Sequence, residues 1–243
     1  MSSGIRGQLT SKYGELVRGG LAELLGTGIL VLFGCGSCTF GNKEMIALTF
    51  GLVIMCMATS LGHVSGCHLN PAVTLGLLLN GQVEWLNAIV YVIGQFVGAV
   101  VGAGILAAIL DTDHLCPTGL NAMITPFAGI VIETILTFVL ILVICNVCES
   151  NPTMAPLAIG LTVATGHLFA IELSGSSMNP ARSFGPALIG NIWKDHYVYW
   201  VGPLIGGALA GLTHRFFFFN SKLSKRGEAG PKSSAQPQET TNV

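Results

Sequence analysis

The chain has 243 residues, of which 51% are hydrophobic and 9% are charged, and its formal net charge is −1. A soluble domain carries roughly 25% charged residues, so this chain has too few to cover a surface that faces water. The small net charge also argues against nucleic acid as a partner. Several apolar stretches reach the about 20 residues needed to cross a bilayer, so the sequence predicts an integral membrane protein.

Six apolar stretches predict six transmembrane helices, at residues 17–38, 45–63, 86–110, 126–147, 155–173 and 197–219. A polar segment precedes the first stretch and no small-residue cleavage site follows it, so we expect a retained helix and not a signal peptide. Most of the Lys and Arg residues lie at the two ends of the chain. By the positive-inside rule we expect both termini in the cytoplasm, which agrees with an even number of spans.

The second half of the chain repeats the first, with an offset of about 109 residues between two Asn-Pro-Ala motifs. The motifs are Asn70-Pro71-Ala72 and Asn179-Pro180-Ala181, and the matching pairs in the same order are Glu23/Glu133, Thr27/Thr137, Gly51/Gly160, Tyr91/Tyr199, Gly94/Gly202 and Gly98/Gly206. Each half contains three spans, so the second half must enter the membrane from the opposite side. Inverted repeats of this kind have their working site at the bilayer midplane, where the halves meet.

Each Asn-Pro-Ala motif predicts the start of a short helix, because Asn is a favoured N-cap and Pro a favoured first helical residue. The apolar runs at residues 72–79 and 183–190 are too short to cross a bilayer. We therefore expect two half-helices, preceded by irregular backbone that is buried in protein or lines a water-filled cavity. The alternative, two surface turns capped by Asn, does not explain their paired inverted placement. Each half-helix N-terminus would bring roughly half a positive charge to the bilayer centre.

These features predict an all-α integral membrane protein with six transmembrane helices and two re-entrant half-helices in an inverted repeat. The segments are a cytoplasmic N-terminal arm at 1–16, a first repeat at 17–110, an extracellular connection at 111–125, a second repeat at 126–219 and a cytoplasmic tail at 220–243. The tail is polar and lacks apolar residues to bury, so we expect disorder. Its last residues, Thr241-Asn242-Val243, fit either a passive tail or a strand added to a PDZ domain, with Val243 in an apolar pocket.

Glu23 and Glu133 lie inside the first and fourth spans, where an ionisable side chain is costly. One interpretation is a proton relay of a coupled transporter. The other, which their symmetric placement favours, is that each exchanges hydrogen bonds with the unpaired backbone of a re-entrant loop. Small residues at four-residue spacing in the third and sixth spans predict close helix packing. These residues are Gly94, Gly98, Gly102, Gly202, Gly206 and Ala210.

The seven cysteines do not indicate a disulfide framework, since five lie in or at the ends of apolar spans and Cys67 and Cys116 lie in connections. The two Cys-x-x-Cys spacings, Cys35–Cys38 and Cys145–Cys148, are compatible with zinc or redox chemistry. On transmembrane helices we favour small apolar filling. We therefore expect neither a metal site nor a cofactor.

The two Asn-Pro-Ala motifs, the Glu-x-x-x-Thr pairs and the string NPARSFGPA at residues 179–187 resemble the aquaporins of the animal water-selective type. The resemblance covers about residues 15–220 and implies a homotetramer, with a water pore in each protomer and no enzymatic activity. It implies that Asn70 and Asn179 donate amide N–H groups to passing water, whose orientation reverses between them and interrupts proton conduction. Backbone carbonyls of the preceding loops would accept the water hydrogens; this pore-lining backbone includes Gly66, Cys67, His68, Gly175 and Ser177.

The resemblance further implies a narrower selectivity filter on the extracellular side, formed by Phe50, His167, Ser176 and Arg182. The pseudo-equivalent residues of the other repeat are Ile159, Ala58, Cys67 and Val73, so only one mouth carries the charge. Arg182 supplies a permanent charge and donors, and His167 adds bulk and a second polar contact. Similar channels that pass glycerol have Asp after the Asn-Pro-Ala-Arg string and lack this histidine, whereas Ser183 follows Arg182 here. We expect a water-selective channel, with passage of glycerol or other small neutral solutes as the alternative.

Cys67 lies three residues before Asn70, whereas family members blocked by mercurials often carry a cysteine at the position of Ser176. We expect Cys67 to face the pore from the cytoplasmic side and to be a mercurial site. His68 is either a fixed support of its loop, which we favour, or a pH-sensitive gate. Two other functions fit the sequence less well: an ion-coupled transporter, and a membrane-junction protein with low conductance.

Overall fold

The computed structural model describes residues 2–219 of the protein, with side chains described from residue 11 onward. All regular structure in this range is helical. The eight helices are α1 (Ser2–Gly36), α2 (Lys43–Ser65), α3 (Pro71–Asn80), α4 (Trp85–Leu110), α5 (Pro126–Ser150), α6 (Ala155–Ala170), α7 (Pro180–Gly190) and α8 (Val198–Thr213). Short helical turns at Ser37–Thr39, Thr112–His114 and His214–Phe218 extend or connect them. The predicted cytoplasmic tail, including Thr241 and Val243, lies outside the described residues.

The helices agree with the predicted fold of membrane-spanning helices and two half-helices. Helices α1, α2, α4 and α5 are each long and apolar enough to cross a membrane. Helices α6 and α8 contain 16 residues each, and the turns that follow them complete the two remaining spans. Helices α3 and α7 are the two half-helices, with 10 and 11 residues. Helix α1 is longer than its predicted span, because it begins at Ser2 and includes most of the segment assigned to the N-terminal arm.

Equivalent helices of the two repeats pack in equivalent pairs, with α1 against α4, α5 against α8, and α2 against α6 between the repeats. Glycines permit the close approach. A Cβ atom on Gly94 of α4 would lie 2.6 Å from the carbonyl oxygen of Gly20 on α1. A Cβ atom on Gly160 of α6 would lie equally close to the carbonyl oxygen of Gly51 on α2. Backbone-to-backbone packing of this kind is typical of membrane helices, which small residues bring together.

The first third of α1 and the residues that follow α8 lie at one end of the helical bundle, which we call the terminus side. Lys12 of α1 forms an ion pair with Glu84, at an N–O distance of 3.2 Å. Arg215 after α8 donates to the carbonyl oxygen of Leu79 at 2.9 Å. The end of α3 and its connection to α4 therefore lie on the terminus side. The opposite end, the far side, contains the ion pair of Lys43 with Glu172, which joins the start of α2 to the end of α6.

The cysteines contradict one prediction, because Cys38 and Cys116 form a disulfide bond. The prediction that the cysteines form no disulfide framework is therefore wrong for this pair. The two residues are 78 positions apart, and only the folding of the connection after α4 back over the end of α1 brings them together. Cys38 lies in the turn that follows α1, so it does not serve as apolar filling within a span. Cys35, Cys56, Cys67, Cys145 and Cys148 are free thiols.

Candidate functional site

The two half-helices begin at the prolines of the two Asn-Pro-Ala motifs, as their sequences predict. Asn70 has an extended backbone, and its Oδ1 accepts a hydrogen bond from Ala72 N at 2.8 Å. Asn179 Oδ1 accepts from Ala181 N at 3.0 Å and from Arg182 N at 3.2 Å. A helix start leaves backbone donors unpaired, and an Asn N-cap satisfies some of them. Both asparagines are thus fixed at the tips of their half-helices.

The two motifs also bind each other through their side-chain amides. Asn70 Nδ2 donates to the carbonyl oxygen of Met178 at 2.7 Å, and Asn179 Nδ2 donates to that of Leu69 at 2.8 Å. Each partner is the residue just before the other asparagine, so the two loops are joined symmetrically. An amide carries two N–H donors, and this brace uses one of them on each side chain. Both asparagines line one cavity, where the second donor is available to a ligand.

The loops before α3 and α7 have matching, unusual backbones. Positive φ angles occur in the same order at Gly66, Cys67 and Leu69 and at Gly175, Ser176 and Met178. Left-handed backbone costs little at glycine but roughly 1–2 kcal/mol at a residue with a side chain. Neighbouring groups must therefore hold both loops in shape.

Glu23 and Glu133 lie beneath these loops and are completely buried. Each carboxylate accepts hydrogen bonds from one serine hydroxyl and two backbone N–H groups of the adjacent loop. The donors are Ser65, His68 and Leu69 for Glu23 and Ser174, Ser177 and Met178 for Glu133, at 2.6–2.9 Å. Each glutamate thus pairs backbone donors of the loop that leads into a half-helix.

One buried polar residue of the site was not predicted. Gln95 on α4 donates from Nε2 to Glu23 at 2.8 Å and to Thr74 Oγ1 at 2.9 Å. Thr74 Oγ1 also lies 3.1 Å from Nδ1 of His68, whose ring packs edge-on against Tyr91. These contacts hold His68 from several directions, which favours a fixed support over a gate. A lone Gln inside an apolar span was the sequence signal that could have revealed this network.

A cavity of about 440 Å³ runs from the terminus side past both motifs. Its wall includes nine of the predicted site residues: Phe50, Gly66, Cys67, His68, Asn70, His167, Ser177, Asn179 and Arg182. A second cavity, of about 470 Å³, lies at the far side against Gly175, Cys116 and Arg182. Arg182 lines both cavities, so the two meet at this residue.

Phe50, His167 and Arg182 lie together at this meeting point. The rings of Phe50 and His167 stack with a centroid distance of 4.3 Å, and Arg182 Cζ lies 4.9 Å from the Phe50 centroid. His167 Nδ1 lies 3.0 Å from the carbonyl oxygen of Val163. A carbonyl only accepts hydrogen bonds, so Nδ1 carries a proton, and Nε2 of the neutral ring is an acceptor. Nε2 has no hydrogen-bond partner among the described residues, so it is free to bind a ligand.

Ser176, the fourth predicted filter residue, is completely buried in the loop before α7. Its backbone N donates to Ser174 Oγ at 3.3 Å, and its hydroxyl has no partner within the described part of the chain. No hydrogen bond or ring contact recorded among residues 11–219 joins it to the other three. The structure therefore brings three of the four predicted filter residues together.

The chain matches the family model described as major intrinsic protein over residues 10–214. The chain belongs to the major intrinsic protein family. It is 44% identical to aquaporin-5 of Sus scrofa over 216 residues, which cover 84% of this chain and 82% of that protein. It is 41% identical to aquaporin-4 of Mus musculus over 213 residues, which cover 81% of this chain but 66% of that longer protein.

A solved structure agrees in fold. The X-ray structure of the aquaglyceroporin from Plasmodium falciparum matches with a TM-score of 0.77, covering 87% of this chain and 99% of that one. At 24% sequence identity, the match supports the architecture of eight helices in an inverted repeat.

Gly34 is a second residue near the site that the sequence analysis did not identify. A Cβ atom on Gly34 would lie 2.7 Å from Cδ1 and Cζ of the Phe50 ring. The ring has α1 behind it and the cavity in front of it. Gly34→Ala should therefore push the ring towards the meeting point of the two cavities, which we call the constriction. We expect the water permeability of each channel to fall by roughly fivefold, which corresponds to about 1 kcal/mol of barrier. Stopped-flow light scattering of proteoliposomes, normalised to channel number, measures this change.

Gly104→Ala on α4 is the control, because no atom beyond its chain neighbours and the adjacent backbone of its own helix lies within 4 Å of the added methyl group. This variant should conduct water at the wild-type rate. Equal permeabilities of the two variants would mean that the Phe50 ring does not set the width of the constriction.

Proposed function

We propose that the chain is a passive, water-selective membrane channel, driven by osmotic gradients, that excludes protons and ions. The observation that carries this proposal is the meeting of Phe50, His167 and Arg182 on a cavity that passes both Asn-Pro-Ala motifs. Its relatives named aquaporin-4 and aquaporin-5 support the same function. Pore dimensions, the hydrogen-bonding groups of the wall and electrostatic barriers are what decide selectivity in channels of this kind.

At the pore centre, the free amide donors of Asn70 and Asn179 bind the oxygen of a passing water molecule. The hydrogens of that water point away from the centre, towards carbonyl oxygens of the loops before α3 and α7. Water molecules on the two sides are then oppositely oriented, so a continuous proton wire cannot form. The N-termini of the half-helices each add roughly half a positive charge, which opposes a cation at the same place.

At the constriction, Arg182 presents a permanent charge and N–H donors, while His167 Nε2 accepts a hydrogen bond from water. Phe50 closes the opposite wall with a group that offers no hydrogen bond. A water molecule passing in single file replaces its hydrogen bonds to other waters with hydrogen bonds to these polar groups. A larger solute must instead fit its carbon atoms against the Phe50 ring. Ser176 completes the filter through the loop that it belongs to, and this assignment rests on the family resemblance.

We assign the terminus side to the cytoplasm and the far side to the extracellular space. The cations concentrated at the two ends of the chain support this orientation through the positive-inside rule. The disulfide between Cys38 and Cys116 supports it independently, since disulfides persist in oxidising compartments outside the cytosol. The filter then faces the extracellular side. The repeats at 17–110 and 126–219 each contribute one half of the pore, and a homotetramer of such pores follows from the family.

Water and solute fluxes through the full-length chain in proteoliposomes test this function. Stopped-flow shrinkage in an impermeant osmolyte should be much faster than that of bare liposomes, with no added glycerol uptake and no acidification of a trapped pH indicator. Shrinkage no faster than bare lipid would contradict a channel and favour the junction protein. Proton entry would favour a coupled transporter with Glu23 or Glu133 as its relay, and rapid glycerol uptake would favour the broader solute range.

Cys67 is the proposed mercurial site, because it is a free, partly exposed thiol on the wall of the cavity that passes both Asn-Pro-Ala motifs. A mercury atom bound there would block the pore from the terminus side. We expect Cys67→Ser to remove nearly all inhibition of water flux by a membrane-permeant mercurial, with little change in uninhibited flux.

Cys148→Ser is the matched control, since Cys148 is another free thiol on the same cavity wall, nearer its mouth. This variant should remain inhibited. If Cys67→Ser were still fully inhibited, or if only Cys148→Ser lost its inhibition by the mercurial, Cys67 would not be the mercurial site.

A further inference from the structure

The disulfide lies next to the filter arginine at the far side of the bundle. Cys38 is in the turn Ser37–Thr39 that follows α1, and Cys116 is in the connection between α4 and α5. Both residues line the far-side cavity, as does Arg182. The covalent bond thus ties the connection to α1 at the edge of the constriction.

Cys116 is also the hydrogen-bond partner of the Arg182 guanidinium. Arg182 Nη1 donates to the carbonyl oxygen of Cys116 at 3.1 Å, and Nη2 lies 3.9 Å from its Sγ. Nε of the same guanidinium is buried and has no partner among the described residues. Both recorded hydrogen bonds of the filter charge therefore go to one disulfide-bonded residue.

Hydrogen bonds hold the rest of the connection to the second repeat. Thr118 Oγ1 donates to Ser183 Oγ at 2.9 Å, and Asn121 N donates to the carbonyl oxygen of Leu173 at 2.9 Å. Cys116 itself has a left-handed backbone, with φ of 49°, which a residue with a side chain adopts only when its surroundings require it. The bond to Cys38 is the covalent constraint at this strained residue.

We propose that the disulfide between Cys38 and Cys116 is a positioning element of the selectivity filter, which fixes the acceptor that orients the Arg182 guanidinium. The inference rests on the proposed function. When the disulfide is absent, only the hydrogen bonds to the second repeat hold the segment that carries the Cys116 carbonyl. The Arg182 guanidinium then has no acceptor in a fixed position. The charge then moves between positions, and the constriction opens to solutes larger than water.

The cleanest variant is Cys38→Ser, because it removes the disulfide but leaves Cys116 and its carbonyl in place. We expect the ratio of glycerol to water permeability, and of urea to water permeability, to rise by roughly fivefold or more, the factor that about 1 kcal/mol of barrier represents. Once the permeabilities of bare liposomes are subtracted, the ratio does not depend on the number of folded channels, so a loss of protein alone would leave it unchanged. Cys56→Ser is the control, since Cys56 is an exposed free thiol on α2.

A second measurement does not depend on the folding of a variant. Wild-type proteoliposomes are treated with a water-soluble phosphine, which becomes its oxide with oxygen from water while the disulfide takes up two electrons and two protons. The permeability ratios should rise as in Cys38→Ser, and the variant itself should not respond to the phosphine. Mass spectrometry of the untreated protein should find Cys38 and Cys116 linked.

The outcomes separate this inference from the proposed function. Fast water flux in untreated wild type with unchanged ratios after reduction would overturn the positioning role and leave the water channel intact. Free thiols at Cys38 and Cys116 in untreated protein would overturn it as well. No water flux above bare lipid in untreated wild type would overturn the proposed function and this inference together.

Discussion

Arg182→Val is expected to raise glycerol and urea permeability by roughly tenfold, which corresponds to about 1.4 kcal/mol of barrier, while water permeability changes by less than about threefold. Valine is the residue that the first repeat carries at the pseudo-equivalent position, Val73. The guanidinium lies where the two cavities meet, so its removal widens the passage there. It also removes a fixed positive charge, so we expect cation exclusion to weaken in the same variant.

The physical reason lies in how few groups form the constriction. Phe50 and His167 stack against each other, and Arg182 Cζ lies 4.9 Å from the Phe50 ring. Removing the guanidinium leaves the Cys116 carbonyl oxygen without its donor, which costs about 1–3 kcal/mol if the oxygen stays dry. Water can enter and bind that oxygen, so the fold should survive. Solute uptake by stopped-flow light scattering and cation flux by an ion-sensitive dye measure the two effects.

Lys194→Ala is the control for the charge, because Lys194 is exposed in the connection between α7 and α8 and does not line either cavity. It removes one cation from the chain without altering the constriction, so its solute permeabilities should equal those of the wild type. If Arg182→Val excluded glycerol and cations as well as the wild type does, Arg182 would not be the filter charge.

The topology was predictable because each repeat carries its own local signals. The half-helix starts follow from the capping chemistry of Asn and Pro, and α3 and α7 begin at Pro71 and Pro180. Long apolar runs gave the spans, and the near-constant offset between the repeats gave their inverted arrangement. The capping and hydropathy signals act within a few residues or along one helix, and the repeat is visible as internal similarity, so a single sequence contains all of them.

Contacts between distant segments were not predictable in the same way. The disulfide joins residues 78 positions apart, and its partners are chosen by the path of the connection after α4. Gly34 matters because the Phe50 ring lies against it from another helix. Gln95 has no polar counterpart at the equivalent place in the second repeat, so the internal symmetry that revealed the motifs could not reveal it. Each case depends on a tertiary contact whose partner no local pattern identifies.

Asn179→Asp separates the two roles of the asparagine in the second motif, which are to cap α7 and to donate amide hydrogen bonds. Asp is as good an N-cap as Asn, so the hydrogen bonds from Ala181 N and Arg182 N should persist and α7 should still form. The variant loses both amide donors, including the one that binds the Leu69 carbonyl, and it brings a carboxylate close to that oxygen. We expect cation and proton leak to rise by roughly tenfold or more, because a negative charge now offsets the two positive helix ends.

Asn191→Asp is the control, because it makes the same change from Asn to Asp away from the pore. Asn191 lies on the exposed turn after α7, and its Oδ1 accepts a hydrogen bond from Trp193 Nε1 at 3.0 Å, which Asp also accepts. Its proton leak, measured with a trapped pH indicator under an imposed gradient, should equal that of the wild type. Asn70→Asp should resemble Asn179→Asp, since the two residues make the same brace from opposite sides. A proton-tight Asn179→Asp channel with normal water flux would mean that exclusion depends on the constriction at Arg182 and not on the asparagine pair.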